Sequence, residues 1–340
     1  MIRKAILLVL CMLYQSLIFA QQVSNTRFEQ DGKQVKIYYD LSETADVSIY
    51  LSTDGGRSYG SSPIGHVSGH VGRQVAAGKN RCAVWDVLSD RDKLQGGQIC
   101  FKIRAVRQGA NQTFTVGGVN FTMVYVAGGT FMMGCTPEQG SDCWEDGTPA
   151  HRVTLSDYYI GETEVTQALW NAVMGNNPSK WKGDNLAVEN VSWEDSQIFL
   201  LKLNHMTGRS FRLPTEAEFE YAARGGNKSL GYKYSGSNNI FDVAWWGDNC
   251  MTHAVKTKLA NELGLYDMSG NVREWCSDWY HDRYSNLSQT NPEGPSTGAK
   301  RVLRGGLNCG MEEYCRVSFR GCNAPSERYN YNGLRLVLCP

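Results

Sequence analysis

Few places in this chain could carry chemistry, and one of them is a short acidic turn. The string Asp267-x-x-Gly270-x-Val272-x-Glu274 sets two carboxylates and two backbone carbonyls around one tight bend. Hard oxygen donors of that kind suit Ca²⁺; the alternative is a capped turn with two solvated acids. None of the six histidines stands in the His-Glu-x-x-His spacing of a zinc site. There is no Gly-x-Ser-x-Gly nucleophile elbow, and the double glycines at 117, 128, 225 and 305 lack the lysine of a P-loop, so turns explain them better. Asp278, Glu312 and Glu313 have the groups for acid or base work, although loop carboxylates are usually only solvated. Cys135 and Cys143 are close in sequence and read as a local, loop-closing disulfide. The segment from Leu307 to Tyr331 gathers Tyr314, Arg316, Phe319, Arg328, Tyr329 and Tyr331, the aromatic and arginine content of a binding hot spot.

The elements that must position these residues fall into two blocks. A length of 340 residues suggests about two domains, and 41% hydrophobic content is enough to bury real cores. Basic and acidic residues balance at 34 each, so the chain has no electrostatic footprint for nucleic acid or for a membrane surface. Arg3 and Lys4 precede an apolar run from Ala5 to Tyr14, with the small residue Ala20 beyond it. That pattern predicts a secretory signal peptide over residues 1–20, too short to span a membrane, and a secreted, periplasmic or cell-surface protein. Its removal takes Cys11 away and leaves an even number of cysteines, which in an exported chain argues for disulfides. No Cys-x-x-Cys occurs.

From residue 21 to about 107, apolar residues alternate with polar ones. Val35 and Ile37, then Val47, Ile49 and Leu51, then Phe101 and Ile103 recur with period two, separated by Asp31-Gly32, Asp54-Gly55-Gly56 and Gly96-Gly97. This predicts an all-β sandwich of immunoglobulin or fibronectin type, with Cys82 and Cys100 on its last strands within pairing range. The polar stretch 108–119 reads as a linker. Beyond it, Thr166, Ser192 with Asp195, and Pro214-Thr215-Glu216-Ala217-Glu218 are helix starts, and Gly225 is a stop. Helices first and short strands later predict an α+β domain over 120–340, much of it loop.

Specific strings in this second block carry a resemblance. Gly128-Gly129-Thr130-Phe131-Met132-Met133-Gly134 comes first, then Pro149-Ala150-His151-Arg152-Val153, Glu164-Val165-Thr166, and Asn190-Val191-Ser192-Trp193. Arg212-Leu213-Pro214-Thr215-Glu216-Ala217-Glu218-Phe219-Glu220-Tyr221-Ala222-Ala223-Arg224, Gly264-Leu265-Tyr266-Asp267-Met268-Ser269-Gly270-Asn271-Val272-Arg273-Glu274-Trp275 and Arg304-Gly305-Gly306 complete the order. In that order they resemble the formylglycine-generating-enzyme, or sulfatase-modifying-factor, family over about 124–340. The resemblance implies a C-type-lectin-like fold with little regular secondary structure. It also implies a structural calcium held by the Asp267 and Glu274 side chains and the Gly270 and Val272 carbonyls.

The family's enzymes convert a sulfatase cysteine to formylglycine with molecular oxygen and a Cu(I) ion on two thiolates, a soft pair suited to that ion. Here the sequence departs from the pattern. Arg316-Val317-Ser318-Phe319-Arg320 and Gly333-Leu334-Arg335 keep their spacing, but Gly306 to Arg316 is three residues short, and Leu307 replaces a serine. Cys309 and Cys315 lie there as Cys-x₅-Cys, either a displaced copper pair or disulfide partners of Cys322, Cys339, Cys276 or Cys250. The leading expectation is a non-catalytic binding or assembly module that offers loops 307–331 to a protein or glycan ligand on a calcium- and disulfide-stabilised scaffold. The alternative is a copper-dependent oxidase acting on a sulfatase polypeptide through Cys309 and Cys315.

Overall fold

The computed structural model describes residues 23–90, 98–107, 109–140, 143–247 and 251–339. The expected signal peptide, the Gly96-Gly97 turn and Cys250 lie outside the described residues. The chain divides into two compact units between Ala110 and Asn111.

In the first unit the period-two pattern becomes seven strands: β1 (Val23–Asp31), β2 (Gln34–Leu41), β3 (Ala45–Ser52), β4 (Val67–Gly69), β5 (Gly72–Val75), β6 (Gly78–Asp86) and β7 (Cys100–Arg107). They form two sheets, ordered β1-β2-β6-β4 and β5-β3-β7. Val35, Ile37, Ala83 and Trp85 of one sheet meet Ile49, Leu51 and Phe101 of the other in a shared core. That is a β-sandwich, and its alternation is the pleat read out in sequence. The Asp31-Gly32 turn is present, with Gly32 in the left-handed region at φ 60°. Cys82 keeps its thiol. It sits in the first sheet while Cys100 pairs with Ser52 in the second, so the expected bond between them is not made.

The second unit begins earlier than the linker expectation allowed. β8 (Gln112–Val116) and β9 (Val119–Val126) form a hairpin across Gly117-Gly118 within the stretch read as linker. The polar composition concealed an alternation: Phe114 points inward and stacks on Phe121 at 5.5 Å and against Phe211 at 5.2 Å. The strands β10 (Gly129–Met133), β11 (His151–Leu155) and β12 (Tyr158–Gly161) follow, then α1 (Gln167–Met174), α2 (Trp193–Thr207), β13 (Phe211–Arg212) and α3 (Glu216–Ala223). The later strands are β14 (Arg273–Trp279), β15 (Gln289–Thr290), β16 (Arg301–Arg304), β17 (Gly321–Asn323), β18 (Asn332–Gly333) and β19 (Val337–Leu338), preceded by a short helical turn over Ile240–Val243. The sheet orders are β13-β19-β12-β9-β8, β17-β16-β14-β18 and β10-β11-β15.

The helix starts fall where the sequence puts them. Thr166 accepts from the Leu169 amide, and Ser192 with Asp195, and Thr215 with Glu218, form capping boxes. Gly225, at φ 89°, follows the end of α3 at Arg224. The loops between β14 and β19 are held by scattered backbone hydrogen bonds, such as Val317 to the Lys233 carbonyl and Asn308 to the Asn271 carbonyl, together with buried side-chain ion pairs.

Candidate functional site

Buried arginines fix the frame on which the loops hang. Arg304 on β16 donates to Glu216 at 3.0 Å, Glu220 at 2.6 Å and the Val317 carbonyl at 2.7 Å. Arg320 binds both oxygens of Glu216, at 2.6 and 2.9 Å, and reaches the Asp146 and His281 carbonyls. Burial opposes charge on Glu216, yet Arg320 and Arg304 hold its carboxyl below the usual range. These bonds tie α3, β16 and the C-terminal loops into one body. Each cation has its anion, as a charge taken out of water requires.

The acidic turn bends at Gly270 and gathers buried carboxyls. Gly270 sits at φ 85°, and a Cβ there would lie 2.4 Å from the Trp245 carbonyl oxygen, so only glycine fits. Asp267 is buried; its Oδ2 accepts from the Lys256 amide at 2.9 Å, while Oδ1 is buried with no hydrogen-bond partner. An orphaned carboxylate oxygen suits a cation. Glu274, however, gives both oxygens to Arg335, at 2.8 and 2.9 Å. A third carboxyl, Glu164, was legible only as a family landmark. It accepts from Asn271 Nδ2 at 2.8 Å and the Val272 amide at 3.2 Å. Burial, with Asp267 and Glu274 nearby, pushes the Glu164 carboxyl well above its ordinary range. Three buried carboxyls therefore share one arginine. Among the described residues, no three His, Cys, Asp or Glu side chains converge as a ready metal ligand set. What suits a cation here is the unpartnered Oδ1 of Asp267.

The cysteines separate. Cys135 and Cys143 form the local disulfide. Cys315 is 1% exposed and packs with Tyr234, Ile240, Val243 and Ala244. Burial pushes its thiol up to about 12, whereas a copper ligand must give up its proton. Cys309 is half-buried in the loop and is among the groups that act on the charge of Arg273.

Arg273, the first residue of β14, is the residue that the sequence reading passed over. Its guanidinium carbon lies 5.8 Å from the Tyr314 ring, 5.6 Å from Phe319 and 5.8 Å from Tyr331. Around this core, Tyr314 packs on Phe319 at 4.8 Å, Trp144 approaches both, and Tyr329 stacks on Tyr331 at 5.2 Å. Burial pulls the Arg273 pKa down, the opposite of Arg304, Arg320 and Arg335, whose carboxylate partners raise theirs. Of the six surface residues expected from sequence, Tyr314, Phe319, Tyr329 and Tyr331 come together here. Arg328 stands aside, paired with Asp195 at 2.6 and 2.8 Å. Arg316 is turned inward at 6% exposure and does not offer its charge to the surface. The periodicity of a loop says nothing about which way its arginines point, so this sorting needed the fold.

A cavity of about 620 Å³ opens elsewhere in the second unit, lined by His151, Glu216, Asp278, Trp279, Tyr284 and Pro292 among others. Asp278 is buried there, and burial with the neighbouring Glu216 pushes its carboxyl up to about 7.

A loop-rich α+β unit braced by buried ion pairs, following a β-sandwich, defines the class. The sulfatase-modifying factor enzyme 1-like domain matches residues 109–339, and the chain belongs to that family. Among its relatives, the chaperone protein LppX of Paenibacillus barcinonensis is 35% identical over 54% of this chain and 78% of its own length. The formylglycine-generating enzyme of Streptomyces coelicolor is 31% identical over 62% of this chain and 87% of its own. In structure, Treponema denticola variable protein 1 superposes with a TM-score of 0.62 at 36% identity, covering 68% of this chain and 99% of that one.

Proposed function

We propose that the chain is an exported binding or assembly module of this family. It presents Tyr314, Phe319, Tyr329 and Tyr331, with Trp144, around Arg273 to a protein or glycan partner. The observation that carries this reading is the half-buried aromatic cluster gathered about an arginine that has no carboxylate partner. Buried ion pairs hold the scaffold beneath it, so the face is ordered in advance and loses little entropy on binding. Calcium at Asp267, with the Gly270 and Val272 carbonyls, would add to that bracing and share Glu274 with Arg335. The leader-like residues 1–20 and the Cys135–Cys143 bond support passage into an oxidising compartment. Among the described residues no helix is long and apolar enough to cross a membrane.

The relatives named formylglycine-generating enzymes favour a second reading, copper-dependent oxidation of a sulfatase cysteine. Cys309 and Cys315 fit that poorly, because Cys315 is a core thiol and the loop that carries them is short. Two assays separate the readings. Peptide and glycan arrays probed with the full chain should give binding that Tyr331→Ala and Phe319→Ala remove while the melting temperature stays near wild type. Incubation with Cu(I), oxygen and a sulfatase-derived cysteine peptide should leave the cysteine unchanged. Aldehyde formation in that incubation, or array binding indifferent to both substitutions, overturns the binding proposal.

A further inference from the structure

Half-buried Arg273 differs from Arg304, Arg320 and Arg335. Arg304 meets Glu216 and Glu220, Arg320 meets Glu216, and Arg335 meets Glu274, each within hydrogen-bond distance. Arg273 has three aromatic rings instead. Its Nε is buried without a hydrogen-bond partner, and the titratable groups acting on its charge are Tyr331, Tyr314, Cys309 and Cys322, none of them a carboxylate. Glu274 follows it in sequence but is committed to Arg335, because successive residues of a strand point to opposite faces. A guanidinium carries five N–H donors in a planar fork matched to an oxyanion. Ring faces attract the cation and fix its plane, yet they accept none of those hydrogen bonds in full. A half-buried guanidinium whose Nε is out of water and without an acceptor is an expensive arrangement. It is also an arrangement that an incoming anion would relieve.

We propose that Arg273 anchors an oxyanion subsite whose expected occupant is a carboxylate. Tyr314, Phe319 and Tyr331 set the plane of the guanidinium, and its free donors meet the two carboxylate oxygens. The choice of carboxylate follows the chain's own usage: Arg304, Arg320 and Arg335 are all paired that way. The proposal rests on the reading of this face as a binding surface and specifies its chemistry. The carboxylate has two sources, a free small acid or an acidic side chain of a polypeptide partner.

The test is a fluorescence titration of the full chain, reporting through Trp144 beside Tyr314 and Phe319. Probes are acetate, the peptide acetyl-Gly-Glu-Gly-amide, and its Gln counterpart. Wild type is expected to give a saturable response to acetate and to the Glu peptide, and at least about a tenfold weaker one to the Gln peptide, the loss on removing one partner of a charged hydrogen-bonded pair. Arg273→Gln is expected to abolish the discrimination. Arg273→Lys, which keeps a charge without the fork, is expected to fall between. A Glu peptide at least tenfold tighter than acetate assigns the subsite to a polypeptide partner; equal affinities assign it to a small acid. Equal binding of the Glu and Gln peptides, or unchanged carboxylate binding in a folded Arg273→Gln chain, overturns the proposal. Array binding that needs Tyr331 but tolerates Arg273→Gln would keep the binding face and reject only the subsite.

Discussion

Replacing Asp278 by asparagine should stabilise the second unit at pH 8 and barely change it at pH 4. The wild-type carboxyl is 4% exposed, and its Oδ2 accepts from the Glu216 amide at 2.9 Å and the Ser277 hydroxyl at 3.1 Å. An asparagine carbonyl can accept both bonds without carrying charge. Burial, then Glu216, raises the folded-state pKa to about 7 from an ordinary 3.8. A raised acid binds more protons folded than unfolded between those values, so its contribution to stability falls as pH climbs through that window and levels off above 7. At about 1.4 kcal/mol per pH unit, the full effect approaches 4 kcal/mol as an upper bound. Urea unfolding at pH 4, 6 and 8, followed by tryptophan fluorescence, measures it. All tryptophans except Trp85 lie in the second unit, so the signal reports that unit. Other acids titrate in the same range, but they do so in both proteins and cancel in the difference. A variant-minus-wild-type difference that stays flat with pH, or grows toward acid, would refute the reasoning.

Three further outcomes follow from the same framework. Adding Ca²⁺ at about a hundred times its Kd should stabilise the chain against an EDTA control by about 2.7 kcal/mol, and Asp267→Asn should remove most of that rise; identical melting curves with and without Ca²⁺ would reject the calcium proposal. Arg335→Met should cost about 3–5 kcal/mol by leaving Glu274 buried without its cation, measured by urea midpoint; a loss below about 1 kcal/mol would mean the pair is not desolvated. Breaking the Cys135–Cys143 bond by the double serine substitution should cost about 2–3 kcal/mol and move the fluorescence of Trp144 next to it; unfolding unchanged by the substitution would show that the loop is held by its other contacts.

Local structure was largely legible. Val35, Ile37, Ile49 and Leu51 announced a sandwich because the strand's period of two is fixed by backbone geometry. Thr166, Ser192 and Thr215 announced helices because a free amide at a helix start needs a nearby oxygen. The hairpin of β8 and β9 was missed because Gln112, Thr113 and Thr115 look like linker, and only contact with Phe211 shows that Phe114 faces a core. The acidic turn was legible as a motif, but the pairing of Glu274 with Arg335 joins residues 61 apart in sequence. Glu164 joins the same turn from 107 positions before Asn271.

Spacing along the chain determined which residues could cap, turn, alternate or chelate, since those properties depend on neighbours a few positions away. The tertiary structure alone decided which charges find partners. Arg316 and Arg273 look alike in sequence; one is folded inward, and the other is left half-buried among three rings. That difference comes from the loops that carry Tyr314, Phe319 and Tyr331 folding back onto the first residue of β14, and no local pattern encodes where such loops meet.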